Sequence, residues 1–127
     1  MDNLTFRLIK ENDYLKGCLK LYEQFYNIDP LKIDYYEFRE YVERQNSNDY
    51  NIFVCEINDK IIACATCFIE NKLIHNFGKV AHIEDVVIDI NYRSLGIGKK
   101  IINHCVQHAK DKKCYKIILD CSNDLVS

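Results

Sequence analysis

A chain of 127 residues with 48% hydrophobic and 28% charged residues, four glycines and one proline has the composition of one compact folded domain and not of a disordered segment. A net charge of −2 at pH 7 excludes recognition of nucleic acid by bulk positive charge, so any anion site has to be local. No stretch approaches the roughly 20 apolar residues that cross a bilayer, and Met1 to Lys10 lacks the apolar centre and cleavage pattern of a signal peptide. Seven cysteines, Cys18, Cys55, Cys64, Cys67, Cys105, Cys114 and Cys121, are odd in number and mostly embedded in apolar runs. A cytoplasmic protein with reduced, buried thiols is expected.

The stretch LTFRLI alternates as a strand does, and ENDYLKGCLKLYEQFYNID sets Tyr14, Cys18, Leu21, Tyr22 and Phe25 on one helical face. After Pro30, Asp34 followed by Glu37 has capping-box spacing with Asp as the cap. Phe38, Tyr41 and Val42 continue an apolar stripe, which predicts a second helix ending near Gln45. NIFVCEINDKIIACATCFIEN reads as two β-rich runs joined at Asn58 and Asp59, and KLIHNFGKVAHIEDVVIDI repeats the pattern with a looser turn around Gly78. IGKKIINHCVQHAKDKK sets Ile101, Ile102, Cys105, Val106 and Ala109 on one face of a long helix, and CYKIILDC is a short apolar strand behind it. The predicted order β, α, α, β, β, β, α, β is an antiparallel meander followed by a helical crossover to a parallel neighbour. Neither a repeat nor a linker interrupts it, so residues 1–127 read as a single domain.

The strand HIEDVVIDI runs directly into NYRSLGIG and then into the long helix, which puts the loop's N–H groups at a helix N-terminus, a natural anion site. Gly96 and Gly98 let a bulky anion approach the backbone, and Arg93, Lys99 and Lys100 add charge, so a diphosphate fits. Walker A and dinucleotide fingerprints both fail on spacing: one residue separates the glycines, Lys100 stands where Ser or Thr is needed, and residue 101 is Ile. Cys64-x-x-Cys67 with His104-x3-His108 has the outward form of a zinc site. However, strand residues three apart point to opposite faces, so no metal is expected. His104 and His108 read as solvated residues on the polar flank of their helix. Glu84 and Asp85, adjacent on a strand, are expected on opposite faces.

Arg93-Ser94-Leu95-Gly96-Ile97-Gly98 fits every fixed position of Gln/Arg-x-x-Gly-x-Gly/Ala, and in this the chain resembles the GNAT acetyltransferase superfamily, which binds acetyl-CoA through that motif. HIEDVV before the loop and CYKIILDC after it make the chain similar to the eukaryotic glucosamine 6-phosphate N-acetyltransferases. The resemblance implies an α/β (α+β) fold, a GNAT-like mixed central sheet with flanking helices. It also implies direct transfer of acetyl from acetyl-CoA to the amine of D-glucosamine 6-phosphate, giving N-acetylglucosamine 6-phosphate for UDP-N-acetylglucosamine synthesis. By the same resemblance, backbone groups of Val86, Val87 and Ile88 line the pantetheine and acetyl groups, and Arg93, Ser94, Leu95, Gly96, Ile97, Gly98 and Lys99 hold the pyrophosphate. Lys72, Leu73, Ile74 and His75, with Glu84, Asp85 and Val86, contact the amino sugar. Tyr115 and Lys116 reach its phosphate across a homodimer, and Asp120 lies beside the reacting amine.

An amine attacks a thioester only as the free base, so Asp120 or Glu84 would accept its proton, while a strand N–H would stabilise the oxyanion. Neither nucleic acid nor membrane enters this chemistry as a partner. The family continues beyond the Asp-Cys pair into a further helix and strand carrying a tyrosine thought to protonate the CoA thiolate. This chain stops at Ser127, so the fold is expected to lack both. Leu125 stands where the family has an asparagine, and Tyr26 where it tends to have threonine. Two alternatives stay open: a GNAT acetyltransferase for another small amine or peptide, and a CoA-binding protein of weak activity.

Overall fold

The computed structural model describes residues 3–120, so the readings made for Cys121 and Leu125 lie outside the described residues. Strands β1 (Thr5–Leu8), β2 (Tyr50–Ile57), β3 (Lys60–Asn71), β4 (Lys79–Ile88) and β5 (Lys116–Leu119) form one sheet in sequence order. All neighbours are antiparallel except β4 and β5. The β2–β3 hairpin turns at Asn58 and Asp59, which both take positive φ, the geometry that matches strand twist in a two-residue loop and that Asn and Asp tolerate. The parallel pair needs a long connection, and helix α4 (Ile97–Asp111) supplies it.

Each face of the sheet has its own core. On one, Ile97, Ile101, Cys105 and Ala109 of α4 pack against Ala63, Ala65, Cys67, Ile83 and Ile88. On the other, α1 (Cys18–Glu23) and α2 (Tyr35–Asn46) bring Leu21, Phe38 and Val42 onto Ile52, Val54, Cys64 and Val87. Cys64 and Cys67 therefore sit in different cores, as the two-residue period of a strand demands, and the described cysteines are free thiols. Helix α2 starts where the capping box predicts. Glu37 N–H donates to Asp34 at 2.9 Å, and Asp34 N–H donates to Glu37 at 3.1 Å. Among the described residues, no helix is long and apolar enough to cross a membrane.

The first helix is shorter than its apolar stripe predicts. Gly17 takes φ 79° and divides the segment into a 3-10 stretch, Glu11–Lys16, and α1. Glycine adopts this left-handed conformation without the penalty a Cβ imposes. The 3-10 stretch turns Asp13 inward, where it is fully buried and accepts hydrogen bonds from Arg7 Nη1 at 2.9 Å, Arg7 Nη2 at 2.7 Å and the Lys10 N–H at 2.8 Å. A second correction concerns α4. His104 is exposed but stacks on Phe6 with centroids 4.8 Å apart. His108 is half-buried edge-on to Phe53 at 5.4 Å, and burial, then Lys112, holds its pKa below the usual 6.5. The apolar stripe of α4 is wide enough that its flank still meets the sheet.

Candidate active site

Strand β4 carries the first element of the site. Thr66 pairs with Glu84 and Cys64 with Val87, so one residue of β3 opposes two of β4, a β-bulge. Asp85 takes φ 52° there. In consequence Ile83 and Val86 both enter the α4 core, and the two residues between them no longer alternate. Asp85 and Thr66, the β3 partner of Glu84, line the same cavity under α1 and α2, so both carboxylates lie on the α1–α2 side of the sheet. This corrects the expectation of opposite faces. Its sequence signal was present in HIEDVVIDI, where two acidic residues followed by three apolar ones break the alternation.

The second element is a split in the sheet. β5 pairs with β4 only from Val80 to Ile83, and the Asp120 N–H donates to Ile83 O at 2.9 Å. Beyond that point β4 keeps its β3 partners, ending with Asp89 N–H to Ile62 O at 2.8 Å. Among the described residues, the outer edge of 84–88 has no strand partner. The side chains of Val86, Val87 and Ile88 are fully buried, so what they offer a ligand is backbone, suited to an arm with amide groups. Exposed Asp120 arrives at the same place, and Glu84, Asp85, Val86 and Asp120 come together where the strands part.

The third element is the loop into α4. Gly96, at φ 77°, occupies the N-cap position and offers no side-chain acceptor, and the first turn contains no acidic residue. The first-turn N–H groups and the positive end of the helix dipole are left for an external anion. A Cβ on Gly96 would meet nothing within 4 Å, so the space over the cap is open, while Gly98 is buried and Lys99 exposed. Arg93 lies with its guanidinium 5.2 Å over the Phe25 ring, and its buried Nε has no hydrogen-bond partner. An uncapped helix start beside an orphaned guanidinium N–H fits the diphosphate of acetyl-CoA.

Lower on β4, a cavity of about 220 Å³ is lined by Lys72, Ile74, Tyr115 and Lys116 together with Glu70 and His82. Glu70 accepts from His82 Nε2 at 2.9 Å and pairs with Lys72 at 3.1 Å. His82 and then Lys72 hold its carboxyl below the usual value. The sequence reading missed Glu70 and His82, because only strand pairing brings them together. Leu73 is exposed and does not line this cavity. His75 packs on the Tyr115 ring at 4.1 Å, within a single irregular turn, α3 (Ile74–Phe77), where His75, Asn76 and Phe77 take positive φ.

Gly78, expected to make the turn, has an ordinary φ of −68° and serves instead as a close contact. A Cβ there would lie 2.7 and 2.8 Å from Tyr115 ring carbons and 3.0 Å from the His75 Cβ. Gly78→Ala is expected to displace Tyr115 and cost about 1–3 kcal/mol. Thermal denaturation and the KM of the acceptor would both register it, and an unchanged Tm would show that the ring moves aside freely.

A mixed sheet that splits at its parallel pair, a bulged strand presenting backbone at the split and a glycine anion cradle on the following helix define an N-acetyltransferase of the GNAT class. Residues 15–126 match the acetyltransferase (GNAT) family, and the chain belongs to it. Among curated relatives, glucosamine 6-phosphate N-acetyltransferase 1 of Dictyostelium discoideum is 35% identical over 122 residues, covering 95% of this chain and 78% of the relative. The glucosamine 6-phosphate N-acetyltransferase of Arabidopsis thaliana is 34% identical over 123 residues, covering 95% and 83%. The crystal structure of glucosamine-6-phosphate N-acetyltransferase from Arabidopsis thaliana matches with a TM-score of 0.88 at 35% identity, over 97% of this chain and 85% of that one. The fold and enzyme class expected from the loop and its flanking stretches are borne out.

Proposed function

We propose that this acetyltransferase moves the acetyl group of acetyl-CoA directly to the amine of D-glucosamine 6-phosphate, giving N-acetylglucosamine 6-phosphate for UDP-N-acetylglucosamine synthesis. The observation that carries the reading is the split between β4 and β5, where carboxylates meet an unpaired backbone edge. Such an edge suits an attacking amine, and a cavity bearing Lys116, offered by a second copy of the chain, suits the phosphate of the same acceptor. Acetyl-CoA supplies the activated acyl group. Arg93, Ser94, Leu95, Gly96, Ile97, Gly98 and Lys99 would hold its diphosphate, and the backbone of Val86, Val87 and Ile88 its amide-bearing arm. Glu84 or Asp120 takes the proton that the sugar ammonium must lose before it can attack. A β4 N–H stabilises the charge that develops on the carbonyl oxygen.

Lys72, Leu73, Ile74 and His75, with Glu84, Asp85 and Val86, contact the amino sugar, and Tyr115 and Lys116, contributed by a second copy of the chain, reach its phosphate. Exposure of Leu73, Ile74, Phe77 and Leu119 around Tyr115 supports a homodimer, since such patches mark contact surfaces. Free thiols suit a reducing, cytoplasmic setting. The chemistry requires no metal, and the whole chain acts as one domain.

The reading is tested by CoA thiol release with glucosamine 6-phosphate against unphosphorylated glucosamine. The phosphorylated sugar should be preferred strongly, and equal rates would refute the phosphate assignment. Lys116→Ala removes a charge-assisted contact of about 1.5–3 kcal/mol, so KM for the phosphorylated sugar should rise roughly 10- to 100-fold. The kinetics of glucosamine itself should stay as they were, and an equal loss for both sugars would sink the role given to Lys116.

A further inference from the structure

A second cavity has no part in holding a phosphate. It lies between α1, α2 and the sheet, measures about 320 Å³ and is walled mainly by Tyr22, Ile33, Phe38, Tyr41, Tyr50 and Ile52. That volume is at the lower end of the roughly 300–1,000 Å³ typical of small-molecule pockets. Its few polar residues include two carboxylates, Glu37 and Asp85, and among the described residues no Lys, Arg or His lines it. Asp85, exposed at the bulge, contributes to the cavity lining. Tyr26, the departure from the family's threonine, hydrogen-bonds it, and its charge adds to burial in raising the pKa of Tyr22, Tyr41 and Tyr50.

A phosphorylated sugar suits this interior poorly. Its phosphate would meet carboxylates instead of cations, and its hydroxyls would lose water against aromatic and aliphatic walls. The opposite ligand suits it well: an ammonium at the Asp85 carboxylate and an apolar, aromatic body behind it, where ring faces favour a cation and ring edges pack. We propose that hydrophobic primary amines of the arylalkylamine class bind this cavity and are acetylated there as a second kind of acceptor.

Asp85 immediately precedes Val86 and Val87, so an amine held by it lies beside the strand edge assigned above to the acetyl group, and the inference rests on that assignment. The ammonium first loses a proton to water through the carboxylate. The nitrogen lone pair then bonds to the thioester carbonyl carbon, the carbon–sulfur bond breaks, and CoA leaves as a thiol carrying the second proton lost by nitrogen. One amide, one CoA thiol and one net proton result.

The test uses 2-phenylethylamine as the probe beside glucosamine 6-phosphate, with product detected by mass and acetyl-CoA binding followed separately by calorimetry. Ile28→Trp and Ile33→Trp, at half-buried positions lining the cavity from the α1–α2 connection, would fill it. A normal Tm identifies those variants that fold. The expected result is acetylation of both amines, with the ratio of kcat/KM for 2-phenylethylamine to that for glucosamine 6-phosphate falling at least about tenfold in a folded variant. Acetylation of the sugar alone would overturn this inference and leave the proposed function standing. Acetylation of 2-phenylethylamine alone would do the reverse. Turnover of both with an unchanged ratio in the filled variants would place the aromatic amine elsewhere and overturn the assignment. Turnover of neither despite acetyl-CoA binding would overturn both.

Discussion

Asp13→Ala is expected to lower the unfolding free energy by about 3–5 kcal/mol, the cost of breaking a buried ion pair by removing one partner. Asp13 is fully buried and Arg7 nearly so, with relative side-chain exposures of 0% and 16%. Arg7 bridges Asp13 to Glu56, with its Nη2 at 2.7 Å from both, and Lys16 closes the network on Glu56 at 2.7 Å. The four residues tie β1, the 3-10 stretch and β2 together, and the alanine variant would leave a largely buried guanidinium with only Glu56 and the Leu8 carbonyl as partners. Domains of this size are stable by about 5–15 kcal/mol, so urea denaturation should show a large shift in midpoint. A change below about 1 kcal/mol would mean the network behaves as an exposed one.

The same network makes the fold acid-labile in a stated direction. Lys16 and then Arg7 hold the Glu56 carboxyl below its ordinary 4.5. The group's contribution is therefore complete above 4.5 and is lost as pH falls through the lower folded value. Denaturation midpoints measured downward from pH 6 should fall in that window, and less steeply in Glu56→Gln.

Local patterns carried the sheet and the anion loop into the sequence reading because they depend on neighbours in the chain. Asn58-Asp59 makes a hairpin, Asp34 with Glu37 makes a cap, and Gly-x-Gly ahead of an amphipathic stripe makes a helix start without a side-chain cap. What the sequence did not disclose depends on residues far apart. Asp13 was read as part of a helix, and its contact with Arg7 is made from the 3-10 stretch that Gly17 ends. Glu84 and Asp85 share a face only because β3 pairs out of step across the bulge. Glu70 meets His82 through strand pairing, and Gly78 is small because Tyr115, 37 residues later in the numbering of the chain, lies against it. The tyrosines of α1 and α2 read as packing residues. Their second property, a shared cavity with an acid at its edge, needed the tertiary arrangement.

Gly96→Val is expected to weaken acetyl-CoA binding at least about tenfold, or 1.4 kcal/mol. A β-branched residue is a strong outlier at the φ of 77° found there, and the left-handed conformation alone costs about 1–2 kcal/mol with a Cβ. The protein itself leaves room, since no atom lies within 4 Å of the position a Cβ would take. The strain would be relieved by moving the loop, which would break the Lys100 N–H to Gly96 O bond at 3.2 Å and turn the free N–H groups of the first turn away from their common target. Gly96→Asn separates the two causes, because Asn tolerates the left-handed region. It should recover most of the Tm lost by the valine variant while its side chain still occupies the open space over the helix start. Calorimetric titration with acetyl-CoA decides the point: binding that recovers with Asn assigns the loss to backbone strain, and binding that stays weak assigns it to a ligand in the cradle. Unchanged affinity in the valine variant, alongside a lowered Tm, would show that the diphosphate is held elsewhere.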